Sequence, residues 1–496
     1  MFLTQFITLV LAFISRTVFI KTLGAEYLGL NGLFSSILTS MSLAEMGIGA
    51  AIAYALYKPI AEEDREVIKS ILAFYRKCYF FIGVFIIAVG CLLIPFLPYL
   101  IKDDITIPVN IYSVYICFLA NSVIGYFFAH KRMIIEETQN KYITASIDFI
   151  VNTIVTIAQI FIVWQLKDFM LFLYVKILGT IINYILVLII ADRKFPYIKE
   201  KAIALPSSVR KGIWSNVSIL FFRKLGDVIV LGTDSIIISA FVGIETVGFY
   251  LNYTLIVSVV AIFCGLFITG ADASIGNAIA TLAKKELYAV FRKISFLIFC
   301  IGGVSAVCLV NLLNPFIELW IGKDYLLSDS VVYVIVANFF FMLNRNLVLV
   351  FRHNAGVFRP DMYKPFIEIV FTLSLSIFLV RIYGVLGVLI GILANTFCIC
   401  VWIEAFIAHK HVFATSMSKY LKMYAVQALA LLLSCGLSLY ANSFVEAFIG
   451  KMAISILIAA SVYFLVFFHT DEFKYFVDLV KKSHLSIKDS FKNKRI

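Results

Sequence analysis

The chain has 496 residues, of which 62% are hydrophobic and only 15% are charged, and its mean hydropathy is +0.98. This small amount of polar surface cannot cover a water-soluble globular protein of this length. The composition therefore excludes soluble enzymes and predicts an integral membrane protein. The net charge of +12 is explained by membrane topology and contact with anionic lipid, and it requires no nucleic-acid partner.

Fourteen apolar runs follow one another along the chain. Each is long enough, at about 20 residues, to cross the ~30 Å of hydrocarbon in a bilayer as a helix. The sequence therefore predicts an all-α, polytopic membrane protein. The predicted spans lie near residues 2–20, 28–57, 78–101, 109–129, 143–165, 169–191, 213–241, 247–280, 291–321, 329–351, 365–383, 385–408, 424–440 and 449–468.

The connections between the spans differ in charge. Lys and Arg counted in alternate connections give 31 on one side and 6 on the other. This bias predicts a protein of the cytoplasmic (inner) membrane with both termini in the cytoplasm. The connections on the other side have about ten residues or fewer, which is too short for an external catalytic domain.

The chain contains no Walker-type loop, EF-hand loop or HExxH motif. It is therefore predicted to use neither ATP nor a bound metal directly. The sequence leaves open whether transport is coupled to an ion such as H⁺ or Na⁺.

The chain repeats itself. Residues 24–29 (GAEYLG) are echoed by 243–248 (GIETVG), and residues 44–53 are echoed by 271–280, with the acidic residue kept in place. Matched positions lie 216 to 227 residues apart, so two halves share one order of helices. Six spans per half is an even number, so the halves are parallel repeats related by an axis along the membrane normal. The predicted segments are a six-helix bundle over 1–205, a second over 206–410, and two further helices with a basic tail over 411–496.

Charged side chains at bilayer depth are costly, at roughly 2.5 to 3.5 kcal/mol for a central charge, and are therefore candidates for function. The predicted cavity cations are Arg16, Lys176, Arg223, Lys224 and Arg345. Arg223 and Lys224 share one face of the seventh span with Asp227 and Asp234. This face is interpreted as the wall of a cleft that binds a charged substrate, and the alternative is an Arg223–Asp227 pair that only joins helices.

Intramembrane carboxylates are candidates for coupling or gating. Glu45 and Asp272 are repeat mates in glycine-rich segments, where local unwinding is feasible. They are predicted to be coupling-ion ligands or hinges, and the alternative is a helix-packing role. Asp148 and Glu368 are predicted to form an inner gate or, alternatively, interfacial anchors. Glu404 is expected to be solvated at the cytoplasmic end of the twelfth span.

Several segments resemble a known family. Residues 13–24, 26–34 and 56–59, together with 232–243 (GTDSIIISAFVG), are similar to those of the bacterial polysaccharide repeat-unit flippases in the multidrug/oligosaccharidyl-lipid/polysaccharide exporter superfamily. The resemblance implies transport of an undecaprenyl-diphosphate-linked oligosaccharide through a cationic central cavity, for O-antigen, capsule or exopolysaccharide. It also implies that Arg16 is the first-helix arginine of that cavity, and that a polysaccharide polymerase and a chain-length regulator act beside the protein.

Two other functions compete with this one. A multidrug antiporter of the same architecture would take organic cations, which prefer acidic and aromatic cavities, so the five deep cations argue against it. A membrane glycosyltransferase or polymerase is disfavoured by the short external loops and by the lack of a recognisable carboxylate constellation.

Overall fold

The computed structural model is helical throughout most of the residues it describes. These are residues 2–45, 47–102, 107–200, 202, 203, 205, 207–357, 360 and 363–478, with side chains except at 2, 3, 43, 44, 208, 215, 216 and 218–231. The α-helices are α1 Phe2–Leu23, α2 Ala25–Met41, α3 Ile48–Ala61, α4 Arg65–Leu93, α5 Ile111–Ile135, α6 Lys141–Leu166, α7 Phe169–Lys194, α8 Ser207–Phe241, α9 Ile244–Thr281, α10 Lys284–Ile321, α11 Asp329–Asn354, α12 Lys364–Tyr383, α13 Val385–Asn395, α14 Val401–Ile407, α15 Met417–Asn442 and α16 Phe448–Phe467.

Each of the fourteen predicted spans coincides with one or more of these described helices, so the all-α polytopic fold is confirmed. Two spans contain more than one α-helix. The second consists of α2, a 3₁₀ turn over Ser42–Glu45 and α3, and the twelfth consists of α13, a π-helical turn, α14 and a second π-helical turn ending at Phe413. Eleven stretches of the described chain are, by length and composition, able to cross a membrane, one of them covering both α5 and α6.

The sequence specifies several helix ends locally. Asp64, Asn110 and Asp168 cap α4, α5 and α7, because their side-chain oxygens accept hydrogen bonds from backbone N–H groups of the first turn. Gly24 and Gly243 precede α2 and α9 with φ of 94° and 146°, a backbone conformation that favours glycine. The two repeats therefore begin these helices in the same way.

The contacts divide the chain into two compact units. The first unit contains Met1–Leu251 with Met362–Val388, and the second contains Asn252–Asp361 with Leu389–Ile496. In the first unit α8 packs against α2, α3 and α12, and in the second α10 packs against α11, α15 and α16. The predicted segments 1–205, 206–410 and 411–496 are repeat boundaries rather than packing boundaries, and they stay a prediction.

Within the first unit, α2 and the start of α9 cross at very close range through the repeated glycines. A Cβ on Gly29 would lie 2.0 Å from the Ile244 carbonyl oxygen, and a Cβ on Gly248 would lie 2.2 Å from that of Ala25. Ala25 and Ile244 are repeat mates, as are Gly29 and Gly248, so the contact is reciprocal. Small residues that let backbones approach are typical of helix crossings in membranes.

In the second unit, α15 and α16 are joined to α10 by a buried polar network. Asn311 Nδ2 donates to Ser438 Oγ at 2.8 Å, and Asn442 Nδ2 donates to Asn311 Oδ1 and to Ser455 Oγ, each at 2.9 Å. Interhelical hydrogen bonds of this kind hold helices together where lipid provides no hydrophobic driving force. The last two spans are thus an integral part of the second unit.

Candidate functional site

A polar cavity of about 330 Å³ lies inside the first unit. It owes its shape to the break in the second span, where the 3₁₀ turn ends at Glu45 and Gly47 takes a φ of 79° before α3 begins. A left-handed glycine lets the chain change direction there. The lining residues are Glu45, Tyr75, Tyr79, Ser122, Gly125, Tyr126, Ala129, Arg132, Met133, Glu136 and Tyr184.

Glu45 faces a cluster of tyrosines in this cavity. The Tyr79 hydroxyl donates a hydrogen bond to Glu45 Oε1. The Tyr79 ring centroid lies 4.3 Å from that of Tyr75 and 5.8 Å from that of Tyr126. A carboxylate among hydroxyl oxygens is able to hold a proton or a small hard cation. The tyrosines were missed in the sequence, although Tyr75 and Tyr79 are four residues apart on one helix face.

Arg132 and Asp148 form a two-pronged ion pair at the same cavity. Arg132 Nη1 and Nη2 lie 3.0 and 2.6 Å from the two Asp148 carboxylate oxygens, and Arg132 Nε lies 2.8 Å from Glu136 Oε1. Asn183 Nδ2 donates to Asp148 at 2.9 Å. Bidentate pairs of this type are strong and directional. Asp148, a gate candidate, is thereby tied to α5 and α7, and its partner Arg132 lines the cavity that contains Glu45.

The kink between α5 and α6 brings this pair together. The π-helical turn over Glu136–Asn140 contains Gln139, whose φ of 61° is not helical, and the chain then turns back so that Asp148 lies beside Arg132. Arg132 was counted as a loop charge in the sequence. The missed signal is its spacing of four residues from Glu136, which predicts an ion pair only if the helix continues that far.

Arg16 and Lys176 are the two predicted cavity cations of the first unit whose side chains the structure describes. Arg16 Nη1 is buried and has no hydrogen-bond partner among the described residues. Lys176 Nζ lies 5.2 Å from the centroid of the Phe118 ring, a cation–π distance. Neither cation forms an ion pair with a carboxylate in the described part of the chain.

A ring contact indicates how these two cations are placed. The Phe19 and Phe172 centroids lie 5.3 Å apart, edge to face. Arg16 is three residues before Phe19, and Lys176 is four residues after Phe172, so each cation shares a helix face with its ring. Each cation therefore lies about one helical turn from this ring contact.

The charged face of the seventh span is only partly described. The backbone of α8 is helical across this span, but the side chains of Arg223, Lys224 and Asp227 lie outside the described residues, and their roles stay predictions. Asp234 Oδ2 accepts a hydrogen bond from the buried Tyr250 hydroxyl at 2.8 Å, and Asp234 Oδ1 accepts one from the N–H of the next residue at 2.7 Å. Asp234 thus joins α8 to α9.

In the second unit Arg345 is held by Glu404. Arg345 Nε lies 2.9 Å from Glu404 Oε2, and Arg345 Nη2 lies 2.9 Å from Glu404 Oε1. Glu404 is only 1% exposed, so the expectation that it is solvated was wrong. The helical structure continues through the π-helical turn to Phe413, beyond the predicted end at 408, which places Glu404 deeper than expected.

The remaining predicted acids have local partners. Asp272 is exposed and accepts a hydrogen bond from Asn354 Nδ2 at 2.7 Å, and α9 continues unbroken past it. Local unwinding is therefore present at Glu45, in the first unit, and absent at its repeat mate, in the second. Glu368 is buried and lies 3.0 Å from Lys364 Nζ, one turn earlier on α12.

The comparisons with known proteins agree with this architecture. A family model described as polysaccharide biosynthesis protein matches residues 1–271. The fold is similar to that of the lipid II flippase MurJ in an inward closed conformation, with a TM-score of 0.67 and 15% identity over 94% of this chain and 98% of that one. It is also similar to an inward-facing multidrug resistance MATE family transporter of the MOP superfamily, with a TM-score of 0.60 and 13% identity over 81% and 94% of the two chains.

At these identities the structural likeness establishes the fold alone. No curated protein sequence matches the chain. The family model covers more than half of the 496 residues. The chain therefore belongs to the polysaccharide biosynthesis protein family.

Proposed function

We propose that this protein is a flippase that moves an undecaprenyl-diphosphate-linked oligosaccharide from the cytoplasmic to the outer leaflet of the cytoplasmic membrane. The surface polysaccharide built from it would be an O-antigen, a capsule or an exopolysaccharide. The observation that carries the proposal is the pair of cations, Arg16 and Lys176, which have no described carboxylate partner and lie close in sequence to the Phe19–Phe172 ring contact.

The physical argument concerns the cost of each part of the substrate in lipid. The prenyl tail is stable in hydrocarbon, whereas the diphosphate and the sugar hydroxyls each lose several kcal/mol if they are left unpaired there. A half-buried arginine with a buried Nη1 atom and a half-buried lysine, neither with a described acidic partner, are groups that a diphosphate satisfies through charge-assisted hydrogen bonds. Transport by alternating access then needs no covalent chemistry.

The proposal is tested with the full chain reconstituted in vesicles that contain a fluorescent polyprenyl-diphosphate oligosaccharide. A membrane-impermeant periodate reagent oxidises only sugars in the outer leaflet. We expect the inner-leaflet fraction to become accessible many times faster than in protein-free vesicles. The same polyprenol carrying a neutral headgroup should remain protected. Equal rates with and without protein would contradict the proposed function.

The product of this step is a lipid-linked oligosaccharide in the outer leaflet, which is the chemical form that a polymerase extends. The proposed partners are therefore a polysaccharide polymerase and a chain-length regulator. Copurification of the tagged protein with either one from native membranes is the corresponding measurement.

One observation favours the rival function, export of organic cations. The Glu45 cavity combines a carboxylate with four tyrosines, and such a cavity suits a cationic aromatic compound. The discriminating measurement is the accumulation of ethidium in cells that lack their own drug exporters. Lower accumulation on expression of this protein, without vesicle flipping of the oligosaccharide lipid, would establish the rival.

We further propose that Glu45 binds the coupling ion, either H⁺ or Na⁺. Glu45→Gln removes the charge and keeps the shape, so we expect vesicle transport to lose its response to an imposed ion gradient. Tyr79→Phe keeps the carboxylate but removes one hydrogen bond to it, worth about 1.5–3 kcal/mol. This variant should lower the rate about tenfold and still respond to the gradient.

The matched control is Glu62→Gln, an exposed carboxylate at the end of α3 in the same unit, which should behave as the wild type. If Glu45→Gln transports with an unchanged gradient response, Glu45 is not the coupling residue, whether or not the protein is a flippase.

A further inference from the structure

The second unit contains a separate basic hollow that plays no part in the proposed transport step. It has a volume of about 380 Å³ and lies among α10, α15, α16 and the helical segment 471–478. Its charged lining residues are Arg292, Lys419, Lys422 and Glu472. Arg292 Nη2 lies 2.5 Å from Glu472 Oε1. The opposite charges of Arg292 and Glu472 cancel, so the two lysines give the hollow a net positive charge.

Two buried polar atoms of the lining lack partners. The Tyr288 hydroxyl and Gln427 Oε1 have no hydrogen-bond partner among the described residues, and the two side chains are 8% and 1% exposed. A buried polar atom without a partner costs about 1–3 kcal/mol. The hollow therefore offers a donor and an acceptor beside its lysines, and a phosphate diester with a hydroxylated headgroup uses all of them.

An apolar hollow of about 550 Å³ adjoins the basic one. Phe296 lines both hollows. The apolar hollow is lined mainly by aliphatic and aromatic side chains, among them Cys300, Val304, Phe464 and Phe476. A charged hollow that meets an apolar one matches the shape of an amphiphile with a phosphate headgroup and a hydrocarbon chain.

We propose that these two hollows form a binding site for an anionic phospholipid of the cytoplasmic leaflet, with a hydroxylated headgroup such as that of phosphatidylglycerol. Lys419 and Lys422 bind the phosphate, Tyr288 donates a hydrogen bond to it, and Gln427 accepts one from a headgroup hydroxyl. One acyl chain occupies the apolar hollow. The basic residues belong to connections that the charge bias places in the cytoplasm, where anionic lipids attract them.

The test measures lipid binding directly and does not depend on transport. The purified full chain in detergent is titrated with phosphatidylglycerol, phosphatidylcholine and soluble glycerol phosphate, and bound lipid is counted by native mass spectrometry. We expect phosphatidylglycerol to bind at least about tenfold more tightly than either other probe. Lys419→Gln with Lys422→Gln should weaken it by about tenfold or more, since each lysine near a lipid surface contributes about a factor of five.

The matched control is Lys284→Gln with Lys285→Gln. It removes the same charge from two exposed lysines of the same unit, and binding should stay within about twofold of wild type. A second variant, Ala460→Trp, fills the apolar hollow that Ala460 lines. It should weaken long-chain phosphatidylglycerol and leave a dihexanoyl analogue unaffected, and thermal unfolding of each variant verifies that it is folded.

Four results would overturn the proposal. Equal losses in the two double-lysine variants would mean that the attraction is diffuse. Equal binding of phosphatidylcholine and phosphatidylglycerol would mean that the headgroup is not recognised. Binding of glycerol phosphate as tight as that of the lipid, or no effect of Ala460→Trp on the long-chain lipid, would mean that the apolar hollow holds no acyl chain.

Discussion

Arg16→Ala is expected to lower export of the oligosaccharide lipid by about tenfold to a hundredfold while the protein remains folded in the membrane. A hydrogen bond to a charged group contributes about 1.5–3 kcal/mol, which sets the size of the loss. Arg16 Nη1 is buried and has no described hydrogen-bond partner. Its removal therefore leaves no partner unpaired, and the protein should stay folded. The measurement is the rate at which the labelled lipid becomes accessible in vesicles. Arg223→Ala and Lys224→Ala, on α8, are predicted to abolish export.

The matched control is Lys21→Ala, which removes an exposed cation from the same helix and should leave the rate unchanged. Lys176→Ala should resemble Arg16→Ala. If both cations bind one diphosphate, the double variant should lose less than the sum of the two single losses in free energy. Normal export by both single variants would end the cationic-site proposal.

Gly248→Ala is expected to destabilise the protein by about 1–3 kcal/mol, the usual cost of an inserted methyl group where there is no room for it. The new Cβ would lie 2.2 Å from the Ala25 carbonyl oxygen, so α2 and α9 must move apart. Gly29→Ala should act in the same way through Ile244. Unfolding is followed with a thiol-reactive dye, because the nine cysteines are free.

Gly265→Ala and Gly270→Ala are the controls for this prediction. Both glycines lie on α9, and a Cβ on either would meet nothing within 4 Å. Alanine favours a helix over glycine by about 0.5–1 kcal/mol, so these variants should unfold at the wild-type temperature or slightly above it. If Gly248→Ala unfolds like Gly265→Ala, the two helices do not cross at this distance.

The span pattern was predictable because it depends on length and hydropathy alone. Hydrocarbon thickness sets the number of apolar residues in a span. The repeated glycines could also be recognised, because a close helix crossing or a positive φ requires glycine at that position alone. The break at Glu45 was also predictable, since Gly47 and Gly49 follow it closely and glycine permits a change of chain direction. At Asp272 the same reasoning failed, because α9 continues unbroken there.

The partners of the buried charges were not predictable, because they depend on tertiary packing and on where helices end. Arg132 became a cavity residue only because α5 continues to Ile135, six residues beyond the predicted span. Glu404 became the partner of Arg345 for a similar reason. Hydropathy identifies only the apolar part of a helix, whereas the backbone hydrogen bonds of the helix continue into its polar end. The predicted spans therefore ended before the helices did.

The reciprocal crossing of α2 and α9 has an evolutionary consequence. A surface that meets its own duplicate in matching positions is what a symmetric homodimer presents. In a half-length chain with the motif of residues 24–29, the same crossing would need two copies that present identical surfaces. One bulky substitution there would obstruct both sides of the crossing at once, whereas in this chain Gly29 and Gly248 are separate positions.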